Sequence, residues 1–333
     1  MDAIRQKIED YYSTIHALLS FVSLTSWKNG NKVDGANFTF GRKMDTSANN
    51  RISPKNQVTP DVVIQPRADL GYVVEAKKSL PNKTEEWDKY IEQLIKYDDE
   101  LLGWWGSNET ISDHCIVLLI EMSRGVEFSD YLRQYLSKSG SGFNKPFSIV
   151  DFTRADEFKH YYLLRTEYGD IQDSDLKETL RKGKKINIED VVGTYGVKKF
   201  YDSEPEAEFT MSVIWLDIFT DMARKVAYDK NIKAYPLDIN LNNITNELQK
   251  LYGSTGKGHR EVQFPKKAWV KRAFDGFVRI GLAEEISPDS YRVFFKQVKG
   301  DTLEKFSKQR ISPKTKKVLE SERQLTLPDI HES

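Results

Sequence analysis

Cysteine is nearly missing. The single one, Cys115, has no partner for an internal disulfide and cannot build a cysteine zinc cluster. Histidine is scarce as well: His16, His114, His160, His259 and His331 are scattered without HxxxH spacing, which argues against a histidine zinc site. No apolar run approaches the ~20 residues of a membrane helix. The longest candidates, around Cys115–Ile120 and Val213–Phe219, are short or interrupted. The N-terminus carries Asp2, Arg5, Lys7, Glu9 and Asp10 and does not read as a signal peptide. The expected setting is therefore reducing and cytoplasmic, with no membrane partner. No internal repeat or low-complexity tract is visible. Gly253-Ser-Thr-Gly-Lys257-Gly258 lacks the first glycine of a phosphate loop and the hydroxyl after its lysine, so no ATP motor is expected and the stretch reads as a flexible basic loop.

Net charge is also absent, with 50 Lys and Arg against 50 Asp and Glu. The balance hides an asymmetry. Leu251–Lys317 carries sixteen basic and seven acidic residues, leaving 34 basic and 43 acidic elsewhere. A basic C-terminal third on an acidic body is suited to a polyanion, or is simply a solvated lysine-rich face. What remains is ordinary globular composition: 333 residues, 39% apolar, 30% charged, mean hydropathy −0.59. That length suggests two domains.

Ile4, Ile8, Tyr11, Tyr12, Ile15, Leu18 and Leu19 give helical spacing over residues 2–22. Strands are expected at Phe38–Phe40, Asp61–Ile64, Tyr72–Lys77, His114–Glu121, Phe147–Asp151 and Tyr161–Thr166. Helices are expected at Glu85–Leu102, capped by Thr84, and at Phe128–Leu136. The alternation predicts an α/β domain over 1–170, a mixed sheet flanked by helices. Residues 171–204 are charged and glycine-broken and read as a connector. A mostly helical domain follows over 205–300: helices Glu206–Tyr228, Asn240–Leu251 and Lys266–Ile280, a stop at Gly281, then a hairpin within Glu285–Phe295 turning at Pro288-Asp289. Residues 301–333 read as a basic helix and a frayed tail. Helices followed by a hairpin form the outline of a winged helix.

The chemistry lies in Pro60-Asp61-Val62-Val63-Ile64 and Val73-Val74-Glu75-Ala76-Lys77. Side chains alternate along a strand, so Glu75 and Lys77 share one face while Val74 and Ala76 take the apolar one. If the two strands pair, Asp61 approaches Glu75. Two carboxylates beside a lysine make a cation site of the kind Mg²⁺ prefers. The plain alternative is a same-face Glu75–Lys77 ion pair worth little to stability. Cys115 reads as core.

These residues resemble the PD-(D/E)XK nuclease superfamily, the restriction-endonuclease-like fold. Gln93-Leu-Ile-Lys-Tyr97 also matches the QxxxY element of the branch containing RecB-like nucleases and type I restriction subunits. The resemblance covers roughly residues 1–170. It implies that Asp61, Glu75 and the Ala76 carbonyl hold Mg²⁺, with Mn²⁺ able to substitute. It gives Lys77 the attacking water or the transition state, Gln93 the positioning of Lys77 or the phosphate backbone, and Tyr97 a DNA contact or the bracing of Gln93. An acid on the first helix is also implied; Glu9 is the candidate, with Asp10 competing. The implied activity is hydrolysis of double-stranded DNA to a 5′-phosphate and a 3′-hydroxyl, in restriction or defence, with transposition or repair nucleases similar in outline. A homodimer or a partner protein is an expectation, because cutting two strands commonly takes two active sites. A non-catalytic DNA-binding or assembly protein on the same scaffold is the rival. In the second domain Lys266, Lys267, Lys271, Arg272 and Arg292 are the expected DNA contacts, as at the start of a recognition helix, although winged helices also bind proteins.

Overall fold

The structure, a computed structural model, describes residues 2–28, 31–32, 36–46, 57–78, 80–81, 84–106, 111, 113–139, 142–154, 160–225, 235–253, 259–295, 302 and 305–306. The chain divides into two compact units. One comprises Glu9–Ser203 with Ser254–Phe264; the other comprises Met1–Ile8, Glu204–Gly253 and Pro265–Ser333.

The first unit is built on a seven-stranded mixed sheet flanked by helices, an α/β architecture. Its elements are α1 (Asp2–Ser26, entering from the other unit), β1 (Asn37–Phe40), β2 (Val62–Arg67), β3 (Leu70–Lys77), α2 (Asp88–Ile95), β4 (Asp113–Glu121), α3 (Met122–Ser139), β5 (Phe147–Arg154), β6 (Tyr161–Gly169), α4 (Ser174–Lys182), β7 (Lys184–Asn187) and α5 (Ile188–Tyr195). Strand order across the sheet follows chain order. The pairs β3–β4 and β4–β5 are parallel and the rest antiparallel. Helices α2 and α3 supply the two crossovers that parallel pairing needs. One face of the sheet carries Val63, Val73, Ile116, Leu118 and Ile149, packed with Ile91, Leu94, Phe128 and Leu132 from α2 and α3. On β3 the alternate residue Tyr72 meets Phe21 of α1, ring centroids 5.9 Å apart. Covered on both faces, β4 is apolar throughout its centre and explains the Cys115–Ile120 run.

Residues 171–204, expected as a connector, are folded into this unit through Ser203. Asp173 caps α4 by accepting from the Asp175 and Leu176 amides, Asn187 caps α5, and β7 extends the sheet beside β6. The lysines that suggested a linker, Lys184 and Lys185, lie exposed on this outer strand. Charge of this kind is what protects a sheet edge from pairing with another chain. The expected helix over Glu85–Leu102 is shorter. A 3₁₀ turn covers Thr84–Glu86, α2 ends at Ile95, and Leu101–Leu102 pairs with Met44–Thr46. Thr84 contributes its carbonyl to the Trp87 amide, and α2 has no side-chain cap. Asp98 ends the helical path by accepting from the Asn144 and Lys145 amides.

In the second unit α6 (Ala207–Val213) runs through a π-helical segment, Ile214–Phe219, into α7 (Thr220–Lys225). Then come β8 (Tyr235–Asn240), α8 (Leu241–Tyr252), α9 (Lys267–Arg279), β9 (Ala283–Ser287) and β10 (Ser290–Phe295). One stripe of this helical run is core: Met211, Ile214, Trp215, Ile218 and Phe219 are buried, with Trp215 against Phe277 and Phe295. Gly281 ends α9 with φ +73°, and Asp289 turns the hairpin with φ +62°. Strand β8 was not expected; it pairs with β10, giving the order β8-β10-β9. The Gly253–Gly258 loop beyond Gly253, and residues 301–333 except Thr302, Lys305 and Phe306, lie outside the described residues. Among the described residues no helix is long and apolar enough to cross a membrane.

One buried charge stands apart from these patterns. Asp151 on β5 is fully buried beneath Gly125 of α3, and neither of its oxygens has a hydrogen-bond partner. Arg165 is 3.7 Å away, beyond hydrogen-bond reach. Burial, then the neighbouring Glu167, push its carboxyl up to about 7 despite Arg165. Because this folded value lies above that of an unfolded aspartate, stability falls as pH rises from about 4 through 7. Asp151→Asn is expected to raise stability by roughly 1–3 kcal/mol at pH 8 and little at pH 4.5, read by urea denaturation at both pH values.

Candidate active site

The register of β2 on β3 assembles the site. Val63 pairs with Val73 and Val62 with Val74, so Asp61, one residue earlier, comes level with Glu75. Both acids are 4% exposed. The Asp61 side chain is pinned from across the ladder: its Oδ2 accepts from the Ala76 amide at 2.9 Å. Glu75 is held at both oxygens. Lys77 Nζ donates to Oε1 at 2.8 Å, and the Tyr97 hydroxyl donates to Oε2 at 2.9 Å. Gln93 Nε2 in turn donates to the Tyr97 hydroxyl at 3.0 Å. Helix α2 carries Gln93, while Tyr97 stands in the turn just after it. The QxxxY pair therefore braces Glu75 directly.

Burial, then the Glu75 carboxylate, hold the Asp61 carboxyl well above the usual range, against the Lys77 charge and the Ala76 amide. Burial opposes the Lys77 ammonium, but Glu75 and then Asp61 outweigh it and raise its pKa. Burial, followed by Glu75, likewise raises the Tyr97 phenol. Lys77 keeps 21% of its side chain exposed, with Nζ 5.1 Å from the centre of the Tyr90 ring. The open side of the site is thus at Lys77, Tyr90 and Gln93.

Two tyrosines complete the cluster. Tyr11 of α1 and Tyr201 pack with ring centroids 4.8 Å apart, and the Tyr201 amide donates to the Tyr11 hydroxyl at 3.3 Å. Both phenols are raised, first by burial; Asp61 adds to each. In the sequence Tyr11 is one of the helically spaced positions of residues 2–22, and nothing periodic marks Tyr201. Glu9 lies on the exposed side of α1, two residues before Tyr11. Among the described residues no group of three or more His, Cys, Asp and Glu is arranged to hold a metal. The donor set still suits Mg²⁺, which takes one or two carboxylates and completes its shell with water and phosphate oxygens. Two buried acids that repel each other are charges a dication would reconcile.

In the second unit the expected DNA contacts are mostly ion-paired. Lys267 Nζ is 2.6 Å from Asp289, Lys271 3.3 Å from Asp275, Arg272 3.0 Å from Glu204, and Arg292 2.7 Å from Asp238. Lys266 precedes α9 with its ammonium 5.3 Å from the centre of the Trp269 ring. Neither a scan against protein-family models nor a search of curated proteins returns a match for this chain.

Tyr97→Phe removes a donor from buried Glu75, and a stability loss of about 1–3 kcal/mol is expected. Asp61→Asn keeps an acceptor for Ala76 while removing a charge that faces Glu75. It is expected to stabilise the fold above neutral pH, since a raised carboxyl costs stability as pH rises. Urea midpoints of the two variants at pH 8 check both signs.

Proposed function

We propose that this protein is a Mg²⁺-dependent deoxyribonuclease that hydrolyses phosphodiester bonds in double-stranded DNA. The observation that carries the reading is the level placement of Asp61 and Glu75 on adjoining strands, with Lys77 in contact and the Gln93–Tyr97 pair behind. A chance PD…ExK match would scatter these five side chains. The mixed sheet flanked by helices is the setting the PD-(D/E)XK resemblance implies.

Asp61, Glu75 and the Ala76 carbonyl are the groups to hold Mg²⁺, with Mn²⁺ as substitute; Glu9, on the exposed side of α1, is not grouped with them. Bound there, the ion supplies Lewis-acid compensation of charge on the phosphate. Lys77 is kept protonated by the two acids, so its role is to donate to a phosphate oxygen and orient the attacking water. Gln93 and Tyr97 hold Glu75 to its rotamer, the pre-organisation on which such a site depends. The second unit, with its order of helix, strand, two helices and hairpin, is proposed as a winged-helix-like module meeting DNA through Lys266, Lys267, Lys271, Arg272 and Arg292. Restriction or defence against foreign DNA, by an endonuclease acting as a homodimer or with a partner, is the biology that best suits this combination.

A second reading has its own support. The acids are almost closed off, and Lys267, Lys271, Arg272 and Arg292 of the second unit are spent on intramolecular pairs. Both features favour a DNA-binding or assembly protein that keeps the scaffold without the chemistry.

Plasmid cleavage separates the two. The purified protein is expected to nick or cut with Mg²⁺ or Mn²⁺, and EDTA or Lys77→Ala to abolish cutting. Binding without cutting across several substrates would favour the scaffold. Mn²⁺ is expected to raise the melting temperature of the wild type, more at pH 8 than at pH 6 because Asp61 must shed its proton; Glu75→Gln is expected to lose the rise. Lys271→Glu with Arg272→Glu is expected to weaken DNA binding and flatten its dependence on salt. Unchanged binding in a salt titration would assign the second unit to a protein partner.

A further inference from the structure

Residues 259–264 lie between α8 and α9 in the chain, yet they belong to the sheet unit. They run beside Gly41–Lys43. The Lys43 amide donates to the Arg260 carbonyl at 2.8 Å, and the Val262 amide donates to the Gly41 carbonyl at 2.9 Å. Arg42 and Glu261 face each other as a bridge, their side chains 3.5 Å apart and both buried. Arg42 is further held by the Gly103 carbonyl, 2.6 Å from Nε, with its guanidinium 4.1 Å from the centre of the Trp105 ring. Arg260 Nη1 donates to Asp45 at 2.6 Å. Gly41 takes φ +65°, and a Cβ there would come within 2.5 Å of the Phe264 ring. The ring therefore sits directly on the glycine.

Gly41 is also the backbone partner of Asp61. Its amide donates to the Asp61 carbonyl at 3.1 Å, just beyond the Phe40–Val62 end of the β1–β2 ladder. Asp61 is thus fixed at two points: its carbonyl by Gly41 and its carboxylate by Ala76. Gly41 is itself in contact with Val262 and Phe264, more than 200 positions further along the chain.

We infer that Glu261, Val262 and Phe264 form a positioning strap for Asp61, acting through Gly41 to hold the carboxylate against Ala76 and level with Glu75. The strap's contacts that matter here run to Gly41, Arg42 and Lys43, so its part is positioning. Without it, two adjoining carboxylates have reason to splay, because each destabilises the other's charge. Its bearing on cleavage rests on the nuclease reading; its bearing on Asp61 does not.

Amide hydrogen exchange resolved at Ala76 tests this in the full chain. Phe264→Ala and Glu261→Gln are each expected to speed exchange at Ala76 about tenfold relative to Val117 and Leu119 in the central strand. Phe128→Ala, a void on the α3 side of the same unit, is expected to speed all three together or none. Unchanged relative protection at Ala76 in both strap variants overturns the proposal, as does uniform acceleration of all three. If Phe264→Ala does not fold, Glu261→Gln decides alone. Plasmid cleavage on the same wild-type sample keeps the two readings apart. Absent cutting with a responsive Ala76 removes the nuclease and leaves the strap. Cutting with an unresponsive Ala76 removes the strap and leaves the nuclease.

Discussion

Pairing of Val62 with Val74 is the constraint from which the site follows. Strand side chains alternate, so a slip of one residue would turn Asp61 to the α1 face and separate it from Glu75. The register is protected because both strands are buried on both faces, and a slip would misplace every apolar side chain along them. The acids themselves oppose this arrangement, since each raises the cost of charge on the other. Core packing of Val63 and Val73 beneath α2 therefore holds together two groups that would not associate unaided. Stability is committed at one place so that strain can persist at another.

Much of this geometry was legible in the sequence because it is local. Asp61, Glu75 and Lys77 lie on strands whose apolar alternation announces itself, and Gln93 and Tyr97 sit four apart on a stretch with helical spacing. What could not be read is what comes from afar. Tyr201 reaches the site from a segment with no periodicity, and the 259–264 segment belongs to the sheet unit though it follows α8 in the chain. The supposed connector shows the opposite failure. Its lysines report an exposed strand edge, and composition alone cannot tell an exposed edge from a solvated linker. Helix α2 stops early for a similar reason: Asp98 is committed to amides near residue 145, a partner that no local window contains.

The second unit illustrates the distance between charge count and charge available. The basic excess of Leu251–Lys317 is plain in the sequence, but the acids that neutralise the key side chains are dispersed: one helical turn along at Asp275, on the hairpin turn at Asp289, on β8 at Asp238. Exposed pairs of this kind are weak and readily exchanged for a stronger anion. A polyanion that displaces them meets an energetic cost that salt lowers, which moderates the dependence on ionic strength.

The discontinuity of the sheet unit has a consequence for biosynthesis. A chain leaving the ribosome completes the seven strands with Asn187, but the piece that seats Gly41 emerges only with Phe264, about 75 residues later. At bacterial or eukaryotic elongation rates of about 5–20 residues per second, the nascent sheet spends several seconds without it. Maturation of the acid pair is thereby deferred until α8 has been translated, so translation order itself keeps the centre immature while most of the protein is still being made.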